Sequence, residues 1–184
     1  MGGTTSLLAA AVSPRPCRLV LLDPVILPQP IPDGAAESPM AQGALRRRAR
    51  FASRDEAFSA YRGRGAFRTW PEETLRDYLE SGLTDGPEGD LILDCSPAWE
   101  AANYGAQGHD SMAALRACQA PIDVFIAEAG STFRLATRPG LDALAPNLSV
   151  RTVAGTTHFL PMERPDVVRD ALAAAIETVK QDEF

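Results

Sequence analysis

No apolar run in these 184 residues approaches the roughly 20 that a membrane-spanning helix needs. The apolar stretch Leu7–Val12 is too short, and it lacks the basic flank of a secretory signal. Cysteine is scarce: Cys17, Cys95 and Cys118 are odd in number and far apart. Without a C-x-x-C pair they suggest neither a disulfide framework nor a zinc site, so a reducing, cytoplasmic setting is expected. There are only two histidines, His109 and His158. No phosphate loop, metal-ligand cluster or dinucleotide fingerprint appears, so neither a metal nor a cofactor is expected. No internal repeat is visible.

What is present fits a soluble globular protein: 45% hydrophobic and 23% charged residues. The length allows one ordinary domain with a real core. Fifteen prolines and fourteen glycines imply many turns without implying disorder. The net charge of −6 hides an asymmetry, because eight arginines lie between Met40 and Arg68 against Asp55 and Glu56. A basic block can mark a nucleic-acid partner. The acidity of the rest argues against that, and the block is read as an exposed helical face that also packs on an acidic core. No nucleic-acid or membrane partner is expected, and the oligomeric state is left open.

Three regions differ in texture. In the first, Thr4–Val12 reads as a helix that Pro14 and Pro16 bar from extending. Cys17–Leu22 reads as a strand buried on both faces. The second begins with Pro28, Pro30, Pro32 and Pro39, an irregular crossover. A helix is expected around Ala44–Phe51. Ser53 then offers an N-cap with Glu56 as its capping-box partner, and Gly63 suits the stop. Pro71 opens another helix, with Leu75, Tyr78 and Leu79 as its stripe and Gly82 as its end. Leu91–Leu93 is a short extended candidate in a mostly helical region. The third region alternates: helix Ser111–Cys118, strand Ile122–Ala127, strand Leu148–Val153, then a helix from Pro165 with a period near 3.6. Such alternation predicts a parallel α/β sheet.

His158 lies in Gly155-Thr156-Thr157-His158-Phe159-Leu160-Pro161-Met162-Glu163-Arg164-Pro165, after the last strand and before the last helix. Loops at the carboxyl ends of parallel strands are where open α/β sheets place their sites. An imidazole there can accept a proton near neutral pH. At the other end, Met1-Gly2-Gly3 before a helix and a strand reads as the tail of a nucleophile elbow, G-x-S-x-G.

These residues resemble the α/β-hydrolase family in its cap-bearing, serine-hydrolase-like form. The carriers are Met1-Gly2-Gly3, Leu21-Leu22-Asp23-Pro24-Val25, the arginine-rich stretch with Arg64-Gly65-Ala66-Phe67-Arg68-Thr69-Trp70-Pro71, and Gly155–Pro165, the most specific. The resemblance implies the C-terminal part of an α/β-hydrolase fold, with parallel strands flanked by helices and a mostly helical cap. Residues 1–27 and 106–184 would be core and 28–105 cap. It makes His158 the catalytic base and puts the nucleophile immediately before Met1. The chain is then expected to be inactive alone and to present an open apolar strand edge. The family's usual acid follows its seventh strand, in a pattern like G-E-x-D. Here the sequence reads Ala127-Glu128-Ala129-Gly130-Ser131-Thr132, which departs from it. Some members carry the acid after the sixth strand, where Asp23 stands, so Asp23 is favoured over Glu128. The backbone nitrogen of Met1 would sit where the family has an oxyanion donor. Phe67, Trp70 and Trp99 are candidates for the substrate pocket as well as for cap packing. Glu100 and Asn103 are weaker candidates, and His109 reads as a surface or hinge residue. The implied reaction is hydrolysis of a small ester or related acyl substrate. Alternatives are an aspartate-nucleophile enzyme of the epoxide hydrolase or haloalkane dehalogenase type, or a non-catalytic remnant or binding module.

Overall fold

A computed structural model describes residues 1–13, 18–30, 38–106 and 108–182. They form two compact units, Met1–Pro30 with Asp110–Phe184, and Ile31–His109. The breaks that the resemblance implies, after residues 27 and 105, lie a few residues earlier.

The first unit opens with α1 (Gly2–Val12), which buries Thr4 and Leu7. Thr4 Oγ1 donates to the Val25 carbonyl at 2.8 Å, tying the helix to the segment after the first strand. A Cβ at Gly3 would lie 3.0 Å from the Pro24 Cβ, so the bare backbone there permits this approach. Pro14, Pro16, Cys17 and Pro32, all used in the sequence reading, lie outside the described residues. Strand β1 (Leu19–Leu22) follows.

The second unit contains α2 (Pro39–Leu45), β2 (Arg50–Phe51), α3 (Arg54–Tyr61), α4 (Glu72–Ser81), β3 (Leu83–Asp85), β4 (Leu91–Leu93) and α5 (Pro97–Gly105). Of the helix expected over 44–51 only Ala44 and Leu45 are helical, as the end of α2. Its last two residues are strand β2, paired antiparallel with β4 through Arg50–Ile92 and Phe51–Leu91. Phe51 is 1% exposed in a cluster with Phe58, Leu75, Leu79, Leu83 and Leu93. Burial of that ring stabilises by roughly 1.5–3 kcal/mol and overrides the helical preference of Ala and Arg. With β3 these strands make a small antiparallel sheet, order β2-β4-β3. Ser53 caps α3 by accepting the Glu56 N–H at 3.1 Å. Glu56 returns to the Ala52 N–H at 2.6 Å, one residue earlier than a capping box requires.

Five of the eight arginines of the basic block are paired with acids of the same unit. Arg48 pairs with Glu56, Arg50 with Glu88 and Asp90, Arg54 with Glu80, and Arg62 with Glu72. Arg47 donates to Glu100 at 2.9 Å, Tyr78 at 3.0 Å and Tyr61 at 3.3 Å. Apart from Arg47, these arginine side chains are exposed, as the composition led one to expect, but their acidic partners come from the same unit.

The first unit then resumes with α6 (Ser111–Ala117), β5 (Ile122–Ala127), α7 (Leu141–Leu144), β6 (Leu148–Val153), α8 (Leu160–Glu163) and α9 (Pro165–Asp182). Its sheet is parallel throughout, order β1-β5-β6. Leu19 to Leu22 pair with Ile122 to Phe125, and Ile122 to Ala127 with Leu148 to Val153. Ile122, Val124 and Ile126 alternate into a core shared with Leu7, Leu21, Met112, Leu115, Phe133 and Leu135. Burial of β1 on both faces is not observed: only Leu21 of its four residues is buried. Among the described residues β1 pairs on one side alone, so its flanks are partly open. No helix among the described residues is long and apolar enough to cross a membrane.

Candidate active site

Three segments at the carboxyl ends of the parallel strands converge. Asp23 follows β1, Ser131-Thr132 follow β5 after a short loop, and His158 follows β6. Beyond Asp23 the first strand resumes for one bridge, Ile26 to Phe133, which holds the Thr132 segment beside it.

Asp23 is the one non-glycine residue with positive φ among those described, at 42°. That left-handed backbone costs about 1–3 kcal/mol and recurs where surrounding structure fixes a functional side chain. The turn is fixed by the Asp23 N–H donating to the Phe125 carbonyl at 2.7 Å. The carboxylate is fully buried and surrounded by donors. Oδ1 accepts from the Ala127 N–H at 2.9 Å and the Ser131 hydroxyl at 2.6 Å. Oδ2 accepts from the Thr132 N–H at 3.0 Å and lies 2.8 Å from His158 Nδ1. Burial alone would raise the Asp23 pKa. The hydrogen bonds from His158, Ser131, Ala127 and Thr132 outweigh it and hold the carboxyl well below the usual range.

An ionised Asp23 only accepts, so Nδ1 of His158 carries the proton and donates to it. Thr132 Oγ1, which donates to the Asp23 carbonyl at 2.8 Å, sits 3.2 Å from the same nitrogen. In neutral His158 the lone pair is therefore on Nε2. The imidazole is 40% exposed while its partner is shut off from solvent. Chemically, this is a histidine of fixed tautomer whose positive charge, once formed, meets a buried anion.

The loop before His158 turns at Gly155, with φ of 72°. Thr156 is buried, its hydroxyl donating to the Val153 carbonyl at 2.7 Å. Thr157 binds Glu163 through both its N–H and its hydroxyl.

No family model matches the chain, and no curated protein matches it. Solved structures do. E-2-(acetamidomethylene)succinate hydrolase is 23% identical with a TM-score of 0.74, over 96% of this chain and 63% of its own. The peroxisomal alpha-beta-hydrolase of Saccharomyces cerevisiae is 17% identical with a TM-score of 0.74, over 96% and 50%. An esterase of M. tuberculosis is 16% identical with a TM-score of 0.66, over 95% and 59%. The chain has part of the α/β-hydrolase fold. It spans about half to two thirds of the length of these matched chains.

The α/β-hydrolase sheet brings Asp23 to His158 and leaves Glu128 apart. Glu128 is exposed and accepts the Gly155 N–H at 2.9 Å. Met1 is the N-cap of α1, and its carbonyl accepts the Thr5 N–H at 3.0 Å. In the second unit Phe67 stacks on Tyr61 at 4.5 Å and meets Trp70 edge-on at 5.0 Å. Phe67 also lines a cavity of about 510 Å³ with Arg47, Tyr61, Glu100 and Tyr104. Trp70 and Trp99 are not among its lining residues, and Trp99 is 67% exposed. Asn103 donates back to the Trp99 carbonyl at 2.9 Å. His109 is half-buried and is the last residue of the second unit.

Sequence reasoning missed the cradle around Asp23. Its signal was the departure itself: Gly130 or Ser131 takes the place of the aspartate in the G-E-x-D-like pattern, and Ser131 with the next residue, Thr132, supplies donors to Asp23. Among the described residues no group of three or more His, Cys, Asp or Glu could hold a metal ion.

Proposed function

We propose that this chain carries the base and the acid of a nucleophile–His–acid hydrolase acting on a small ester or related acyl substrate. The observation that carries it is the 2.8 Å contact between His158 Nδ1 and the fully buried Asp23 carboxylate, at the carboxyl ends of parallel strands. In the proposed reaction His158 Nε2 takes the nucleophile's proton as it attacks the acyl carbon. The same imidazolium then protonates the leaving group, and Asp23 holds the ring and stabilises its charge. Water, activated by the same nitrogen, then releases the acid product.

The nucleophile is assigned to residues outside these 184, in keeping with the part-length match to longer hydrolases. The test is hydrolysis of p-nitrophenyl acetate by a longer form of the protein extending upstream of Met1, beside the same form with His158→Ala. Turnover that depends on His158 supports the reading. Turnover unaffected by the substitution overturns it, and absence of any turnover from that form favours a non-catalytic binding module.

A further inference from the structure

The Gly155–Pro165 segment contains one carboxylate, and the proton-transfer scheme does not use it. Glu163, the last residue of α8, turns its half-buried carboxylate back across the loop. Oε2 accepts the Thr157 N–H at 2.7 Å, and Oε1 accepts the Thr157 hydroxyl at 2.6 Å. Thr157 immediately precedes His158. Its Oγ1 in turn accepts the Phe159 N–H at 3.3 Å, and its carbonyl accepts the Leu160 N–H at 2.9 Å. Both neighbours of His158 are thus tied, directly or through one hydroxyl, to one carboxylate. The charge on Glu163 makes its two bonds roughly twice as strong as neutral ones.

The imidazole needs this support. It is 40% exposed, so packing restrains it little, and the ring itself is held at Nδ1 by Asp23 and Thr132. A Nδ1–H bond to Asp23 survives only if the backbone at 157–159 keeps the ring within a few tenths of an ångström of its place. We infer that Glu163 is a positioning residue that sets the His158 imidazole against Asp23 by clamping Thr157. The inference rests on the reading of His158 as the base.

The test is NMR of the His158 imidazole in the protein, with its signals assigned by their loss in His158→Gln. The readout is the low-field Nδ1–H resonance of His158. Asp23→Asn is the reference for a ring without its acid. Glu163→Ala is expected to lose or broaden this resonance. Glu163→Gln keeps an acceptor for the Thr157 N–H and a donor for its Oγ1, so it is expected to restore the signal. Thr157→Val removes only the hydroxyl half and is expected to broaden the resonance in part, which reads the clamp even if Glu163→Ala fails to fold. A wild-type resonance in Glu163→Ala or Thr157→Val overturns the clamp while leaving the Asp23–His158 pair standing. A resonance that is identical in wild type and Asp23→Asn overturns the pair, and the clamp with it.

Discussion

Asp23 and His158 lie 135 residues apart in sequence and 2.8 Å apart in space, and the contact joins the ends of the two outer strands of a three-stranded parallel sheet. The central strand β5 separates them, and its last residue and the loop after it supply the remaining donors. Oδ1 of Asp23 thus has two donors and Oδ2 three, four of the five coming from the β5 side. The carboxylate is fixed before the imidazole arrives, which is what a base needs if its tautomer is not to vary.

Replacing either partner is expected to separate chemistry from folding. In a form that turns over ester, His158→Ala should lower kcat on the order of 10^4–10^6-fold with little change in KM. Asp23→Asn should lower kcat roughly 10^4-fold, because an amide can present its NH2 to the imidazole and favour the wrong tautomer. Glu128→Gln, at an exposed carboxylate that binds the Gly155 N–H and not the imidazole, should change kcat by less than about threefold, within the range of surface substitutions. Initial rates on p-nitrophenyl acetate decide this. A larger loss from Glu128→Gln than from Asp23→Asn would exchange the roles of the two acids.

Asp23 also predicts how stability depends on pH. Its carboxyl is depressed in the folded chain because hydrogen bonding outweighs the effect of burial. A depressed folded value gives stability that is complete above the unfolded carboxyl's ordinary value, about 3.9, and is lost as pH falls through the folded value. The stability gap between wild type and Asp23→Asn should stay flat above about pH 5 and narrow on acidification below about pH 4. Urea melts across that range measure it. A gap that widens in acid would contradict the assignment of donors to Asp23.

In the second unit Arg47 serves three acceptors on three elements: Tyr61, Tyr78 and Glu100. Arg47→Ala strands all three and should destabilise by about 2–4 kcal/mol. Arg47→Lys should recover less than half, since a single ammonium cannot reproduce the planar fork. By contrast Arg48, whose pairing with Glu56 is exposed, should cost no more than about 1 kcal/mol when changed to Ala. Thermal melts of the three variants test the ranking, and equal losses from Arg47→Ala and Arg48→Ala would refute it.

Much of the first unit was legible because its strands are bounded by chemistry. Pro121 opens β5, and β5 and β6 occupy Ile122–Ala127 and Leu148–Val153, the spans read from sequence. The error over 44–51 has a different origin. Strand β2 is two residues long, too short for alternation to register, and only its pairing to β4 and the burial of Phe51 define it. At the site, histidine and aspartate announce themselves by type and position. Ser131, Thr132, Thr157 and Glu163 do not, because their roles exist only once three strand ends are brought together.

The surface of the first unit predicts self-association of the 184-residue chain. Leu172 and Ile176 on α9 are 48% and 55% exposed, and with Pro161, Pro165 and Val168 they line an open apolar groove of about 480 Å³. Among the described residues β1 pairs on one side only, leaving a free strand edge of the kind that templates aggregation. Purified alone, the chain should elute above its monomer mass at concentrations of about 10 μM or more. Leu172→Glu with Ile176→Lys should raise the monomer fraction without changing the far-UV spectrum, because both side chains already face solvent in part. Size-exclusion chromatography with light scattering reads the outcome. A monomeric wild-type chain would refute the prediction. A double variant that associates as strongly as wild type would move the cause from α9 to the β1 edge, where Val20→Lys, placing a charge on that edge strand, should then release the monomer.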